Sequence, residues 1–328
     1  MPYVTIVVPC YNEQNTIGLL LQAIFDQSYP RADMEVVIAD GLSTDQTRLQ
    51  IQNFSQTHPD LKVRVVDNPQ RTIPSGLNQA LRAAQGDIII RLDAHSIPYA
   101  NYVSACVTAL QHGYGDNVGG VWEILPGGKG WLARSIAAAA AHPIGAGDAR
   151  YRIGGSAQEV DTVPFGAFRR SLIEKIGYYD ESLLTNEDYE FNVRIRQGGG
   201  KIWMDPQIRT RYFARSNLRA LWRQYWRYGL WKARMLRRYP RSLRWRQAIP
   251  PLFVFSLLLS AIFSFWLPAF RWLLIFELII YSVVMIFVGI QQALRQRYWP
   301  YILGFPLALM VMHLAWGSGA LLGTIQHE

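Results

Sequence analysis

The chain has 328 residues, enough for two ordinary domains. Its formal net charge is +9, with most of the excess between Arg209 and Arg246 and almost no charge from 249 to 323. Cys10 and Cys106 are the only cysteines, which excludes a disulfide framework and suits a reducing compartment.

The opening MPYVTIVVP puts no basic stretch ahead of an apolar core, so no cleaved signal peptide is expected. Val4 to Val8 reads as a buried parallel strand stopped by Pro9. A helix follows, with Asn12 as its cap and Ile17, Leu20, Leu21 and Ile24 on one face. Next come a strand over 35–39, a helix over 44–54, a strand over 62–66 and a helix over 75–85 closed by Gly86. A strand over 87–92, a helix over 100–111 and a strand over 118–124 extend the series. Such alternation predicts an α/β fold, a mostly parallel sheet with helices on both faces. Neither G-x-G-x-x-G nor G-x-x-x-x-G-K-[ST] follows a strand, which argues against a dehydrogenase or a P-loop enzyme. A nucleotide bound here is therefore expected to be gripped by carboxylates and a metal ion.

Three acidic stations stand out: Asp40 in VVIADGLSTD, Asp93 in IIIRLDAH, and Glu187-Asp188 in LLTNEDYE. The first two follow apolar strands, and ligands of open α/β sheets bind outside the carboxyl ends of strands. In extended chain, Asp93 and His95 point the same way and can address one ion. A carboxylate–imidazole pair suits Mn²⁺ better than Ca²⁺. Asp45 serves equally well as a helix cap. Glu187-Asp188 opens a helix, where the macrodipole keeps a carboxylate ionised, as a general base requires.

Stretches 249–267, 272–290 and 301–323 each approach the roughly 20 residues that span about 30 Å of hydrocarbon. Glu277 and His313 lie inside them, and each is expected to form a helix–helix hydrogen bond. Lysine and arginine counting puts 209–246, Arg295 and Arg297 on one side and Arg271 on the other. The expectation is a cytoplasmic N-terminal domain and an outside C-terminus. The intervening NLRALWRQYWRYGLWKARMLRRYPRSLRWR reads as interfacial helix: aromatics at headgroup level, Arg237 and Arg238 on anionic lipid, other arginines turned onto a pyrophosphate. Its place just before a span speaks against nucleic acid. The expected domains are 1–210, amphipathic helices over 211–247, and a membrane domain over 248–328.

The runs VVPCYNE, VVIADGLSTDQT, IIIRLDAH, GAFRR and TNEDYEFNVR, in this order, resemble family 2 glycosyltransferases of the GT-A fold over residues 3–230. D-A-H, QYWRYGLWK and the C-terminal spans are most similar to bacterial succinoglycan-type exopolysaccharide glucosyltransferases. The resemblance implies that Pro9, Tyr11, Glu13 and Asp40 hold the nucleoside. It also implies that Asp93 contacts the nucleotide, Asp93 and His95 the metal (Mn²⁺ or Mg²⁺), and that Asp188 is the catalytic base. Gly166, Ala167, Phe168, Arg169 and Glu187 would shape the acceptor side. Gln224-x-x-Arg227-Tyr228 resembles a Q-x-x-R-W signature that caps the donor diphosphate. His95 stands where an aspartate is usual, and Tyr228 where a tryptophan is.

The reading is an inverting, membrane-anchored glycosyltransferase of a bacterial inner membrane. It would move a hexose from a UDP-sugar to a polyprenyl-diphosphate-linked saccharide or another lipid acceptor. The alternatives are a polyprenyl-phosphate glycosyltransferase, a processive synthase, or an inactive membrane scaffold.

Overall fold

The computed structural model describes residues 1–326. Strands β1 (Val4–Cys10), β2 (Met34–Asp40), β3 (Lys62–Asp67) and β4 (Ile88–Arg91) alternate with helices α1 (Ile17–Phe25), α2 (Thr47–Thr57) and α3 (Ile73–Ala83). There follow β5 (Ile97–Pro98), α4 (Tyr102–Gln111), β6 (Asn117–Leu125), α5 (Trp131–Ala140), α6 (Pro143–Ala146) and α7 (Arg150–Ile153). Next are β7 (Gln158–Glu159), β8 (Ala167–Arg169), α8 (Ser171–Ile176), α9 (Glu187–Gln197) and β9 (Ile202–Phe213). Helices α10 (Leu218–Arg238), α11 (Trp245–Phe263), α12 (Pro268–Gln296) and α13 (Tyr301–Ile325) complete the order. Two compact units result: Met1–Glu123 with Ala149–Tyr212, and Ile124–Asp148 with Phe213–Glu328.

The first unit carries one sheet in the order β3-β2-β1-β4-β8-β6-β9-β5, with β7 paired to β9. Strands β3, β2, β1 and β4 are mutually parallel, as strand–helix alternation requires. β8 inserts antiparallel to both β4 and β6, so those two keep a common direction but the sheet is mixed. Along β1, Val4, Ile6 and Val8 enter one core and Val7 the other, the period-two division of a strand covered on both faces. Each fully buried Val or Ile contributes about 1.5–3 kcal/mol.

Pro9 does not stop β1. The strand continues to Cys10, with Pro9 opposite Ala39 and Cys10 opposite Asp40. Pairing to β4 ends at Val7, so the N–H that proline lacks falls where that neighbour has already turned away. Asn12 is not the cap of α1 either: Thr16 holds that place, while Asn12 Oδ1 accepts the Thr44 amide at 2.9 Å. Gly86 is required by close approach, since a Cβ there would lie 2.5 Å from the Thr5 nitrogen.

The second unit takes in 124–148, which the sequence alone leaves in the N-terminal domain. Its reason is the small-residue face of α5. Ile136, Ala137 and Ala139 share a core with Phe305, Ala308, Leu309 and Met312 of α13. A Cβ on Gly304 would meet Ser135 Oγ at 2.3 Å. α11, α12 and α13 are long and apolar enough to cross a membrane, with mean hydropathy 1.5, 2.7 and 1.5. Glu277 and His313, the two ionisable residues singled out within these stretches, are bonded between helices. Ser256 donates to Glu277, and the His313 ring nitrogens reach the Tyr281 hydroxyl and the Ile144 carbonyl, each at 2.9 Å.

Candidate active site

The carboxyl ends of β1, β2 and β4 gather the acidic residues. Asp40 ends β2 and is fully buried. Its carboxylate accepts from the Ser43 amide (3.0 Å) and hydroxyl (2.5 Å), and from Arg48 Nε at 2.5 Å. The loop after β2 is thereby fixed. Tyr11, 41% exposed, lies against Gly41, where a Cβ would stand 3.0 Å from its ring, and the Arg71 guanidinium is 5.5 Å from the ring centroid. Asp45 accepts the Thr47 amide at 3.0 Å in the turn before α2, whose cap position is held by Gln46.

Arg91, the last residue of β4, is the centre of the site. It is 2% exposed and its guanidinium meets three carboxylates: Asp93 at 3.1 Å, Glu187 at 2.8 Å, and Asp188 in a close ion pair. The strand aims Arg91 there because its own amide bonds the Gly166 carbonyl at 3.0 Å. Helix α9 brings Glu187 and Asp188 in its first turn, entered through Asn186 in the left-handed region at φ 69°. One guanidinium cannot compensate three carboxylates, so the cluster is short of positive charge. Burial pushes the Asp188 carboxyl up to about 7, against the pull of Arg91 and with the help of Glu187 and Asp93. Asp188 still keeps 22% of its side chain exposed, so a ligand can reach it.

Asp93 and His95 are not in extended chain. β4 ends at Arg91, and the Ser96 amide (2.9 Å) and hydroxyl (2.7 Å) both bond the Asp93 carbonyl, closing a turn. The two side chains consequently take different partners. Asp93 goes to Arg91, and His95 Nδ1 lies 3.2 Å from Glu13 Oε1. Burial opposes ionisation of Glu13, but hydrogen bonds from His95 and Thr16 outweigh it and hold its carboxyl below the ordinary range. Among the described residues no three His, Cys, Asp or Glu side chains form a group that could hold a metal. The site instead offers an imidazole and carboxylates on adjacent turns.

The structure does not bring the side chains of the GAFRR stretch to this cluster. Ala167 and Phe168 are fully buried in β8, Phe168 packs on Phe191 with centroids 5.2 Å apart, and Arg169 donates to the Leu110 carbonyl at 3.2 Å. A strand threaded between β4 and β6 buries Ala167 and Phe168 and leaves Arg169 exposed. Gly166 takes part through its carbonyl on Arg91, and a Cβ there would lie 2.2 Å from Asn117 Oδ1. Pro9 sits inside β1. Gln224 and Arg227 belong to α10 of the second unit, where Gln224 Nε2 lies 2.9 Å from the Tyr228 hydroxyl. Arg91 is the residue that sequence reasoning missed. An arginine within the apolar run IIIRL was a signal, because a buried charge must be paired.

Known proteins bear on this site. The chain is 30% identical over 316 residues to succinoglycan biosynthesis protein ExoA of Rhizobium meliloti, covering 96% of this chain and 92% of that protein. It is 26% identical over 329 residues to a Methanococcus voltae dolichyl N-acetyl-alpha-D-glucosaminyl phosphate 3-beta-D-2,3-diacetamido-2,3-dideoxy-beta-D-glucuronosyltransferase, covering 99% and 98%. The mannosyltransferase PcManGT of Pyrobaculum calidifontis, solved with GDP-Man and Mn²⁺, shares the fold with a TM-score of 0.60 at 22% identity, over 95% and 87% of the two chains. The model of glycosyl transferase family 2 matches residues 5–177. With more than half its length matched in this way and a 30% identical relative nearly end to end, the chain belongs to glycosyl transferase family 2 and is a glycosyltransferase.

Proposed function

We propose that this enzyme transfers a sugar, with inversion, from a nucleoside diphosphate sugar to a hydroxyl of a lipid-linked saccharide. The single observation that carries the proposal is the convergence of Asp93, Glu187 and Asp188 on buried Arg91. In this reading Asp188 removes the proton from the acceptor hydroxyl as that oxygen attacks the anomeric carbon. A carboxyl titrating at about 7 is well matched to that task. Arg91 holds the base in place and Glu187 faces the acceptor. Pro9, Tyr11, Glu13 and Asp40, at the ends of β1 and β2, hold the nucleoside. Gln224 and Arg227 bind the diphosphate, a task for which a guanidinium is suited by its paired donors.

Asp93 and His95 would hold a divalent ion, Mn²⁺ or Mg²⁺. The fit is that of an incomplete donor set in a region with surplus negative charge, leaving coordination positions to ligand oxygens, as such ions prefer with phosphates. When bound, the ion would neutralise charge on the leaving diphosphate. The related mannosyltransferase solved with GDP-Man supports a nucleotide-sugar donor. The dolichyl phosphate-linked sugar in one relative's name supports a polyprenyl-linked saccharide as acceptor, and the donor in this reading is a UDP-linked hexose. Three apolar helices support attachment to a membrane, with anionic lipid beside the arginines of α10.

A donor panel with purified protein, Mn²⁺ and a lipid-linked acceptor extract tests this. Free nucleoside diphosphate and a product of inverted anomeric configuration are expected with one donor. Transfer onto a bare polyprenyl phosphate, and not onto a hydroxyl, would replace the reading with the phosphate-acceptor one.

A further inference from the structure

We propose that α13, although long and apolar enough to cross a bilayer, does not cross it. The C-terminus then stays on the side from which α11 enters the membrane, and the α11–α12 hairpin alone is embedded in lipid.

The three helices differ in what covers them. α11 and α12 expose large apolar side chains along their length, among them Leu252, Phe255, Leu258, Phe276, Ile279 and Phe287. On α13, among the described residues, only Ile302 and Leu303 at its start and Ile325 at its end are so exposed. Its buried residues run from Gly304 to Gly323. Protein covers α13 along this stretch to a far greater extent than it covers α11 or α12, with 44% of its apolar window buried against 11% and 17%.

α10 lies backbone to backbone on the C-terminal half of α13. A Cβ on Gly319 would stand 2.2 Å from the Trp226 carbonyl oxygen, on Gly229 2.2 Å from that of Trp316, and on Gly323 2.7 Å from that of Leu230. Over this contact α10 carries Arg227, Lys232, Arg234, Arg237 and Arg238. If α13 crossed, these cations would enter hydrocarbon with it, each at a large cost.

The middle and the ends of α13 agree. His313, at its midpoint, bonds the carbonyl of Ile144 at 2.9 Å. Ile144 belongs to a four-residue helix near Asp148, whose carboxylate pairs with Arg244 at 2.9 Å and with Arg246, at the mouth of α11. A cluster of charged side chains of this kind is costly at a bilayer midplane. At the C-terminal end, Arg237 donates to the carbonyls of Gly323 (2.8 Å), Thr324 (3.2 Å) and Gln326 (2.6 Å). At the other end, the Arg134 guanidinium stands 5.5 Å from the Tyr298 ring. Both ends are thus held by arginine-bearing segments, which belong on one side of the membrane.

Cysteine labelling of the full chain in membrane vesicles tests the proposal. Cys10 and Cys106 are buried and should remain silent to a membrane-impermeant maleimide. Gln326→Cys and, as a reference before the membrane helices, Gln56→Cys replace exposed residues, so neither should disturb folding. The expected result is strong labelling of both in the same vesicle orientation and loss of label from both in the other. Labelling of Gln326→Cys only in the orientation that silences Gln56→Cys would overturn the proposal. If Gln326→Cys labels in neither, protease shaving of an epitope fused after the last residue decides. Loss of the epitope from the face opposite Gln56 overturns the proposal, and loss from the same face supports it.

Discussion

Arg91 and Asp188 form an ion pair across 97 positions of sequence, the guanidinium of a buried strand end against a carboxylate in the first turn of α9. The pair joins the two halves of the site. Arg91 belongs to β4 and so to the parallel half of the sheet, while Asp188 arrives only after β8 has been laid antiparallel beside that strand.

Removing Arg91 should therefore damage stability as well as rate. Arg91→Gln leaves Asp93, Glu187 and Asp188 with no cation among them, and breaking a buried pair typically costs about 3–5 kcal/mol. Denaturant unfolding should show a loss of that order together with loss of turnover. Arg91→Lys should retain part of the stability but little activity, because an ammonium cannot hold carboxylates in the same fork.

The rate should follow the ionisation of Asp188. A base works only when unprotonated, so kcat/KM should fall about tenfold per pH unit below about 7 and level off above it. A pH–rate profile flat from pH 5 to 8 would show that no such group limits transfer.

Activity should require a divalent ion, with Mn²⁺ better than Ca²⁺ because one proposed ligand is an imidazole. His95→Asp should keep activity and move preference towards Mg²⁺, which favours oxygen. A metal titration of both proteins after EDTA treatment checks this, and full wild-type activity in EDTA would contradict it.

Arg227 and Arg237 should separate. Arg227→Lys should reduce turnover steeply through the diphosphate. Arg237 has structural work, holding the last carbonyls of α13, and its loss should cost about 1 kcal/mol of stability even in neutral detergent. Sequence periodicity alone assigns it to lipid; the bonds to Gly323, Thr324 and Gln326 give it a second role. Melting of both variants in detergent, alongside turnover, distinguishes them.

Legibility in the sequence followed how local each signal was. β-branched runs such as Val4–Val8 and Glu35–Ala39 are read directly, because burial on both faces leaves an unbroken apolar string. Asp40, Asp93 and Asp188 were found because they stand where such strings end or a helix begins. β8 was not read as a strand, since three residues carry no period, and with it went the antiparallel half of the sheet. The burial of Ala167 and Phe168 in the core is part of what was lost with it. The D-A-H motif was aimed by strand geometry, yet Ser96 closes a turn that a two-residue rule does not contain. Arg91 lay in plain view inside IIIRL, but its partners are distant in sequence.

The most direct test of the central claim is turnover of Asp188→Asn onto a hydroxyl acceptor, measured beside nucleotide affinity by calorimetry. Loss of a general base lowers the rate by about 10²–10⁴-fold. The account predicts that loss with unchanged nucleotide affinity, whereas more than a tenth of wild-type turnover would contradict the role given to Asp188.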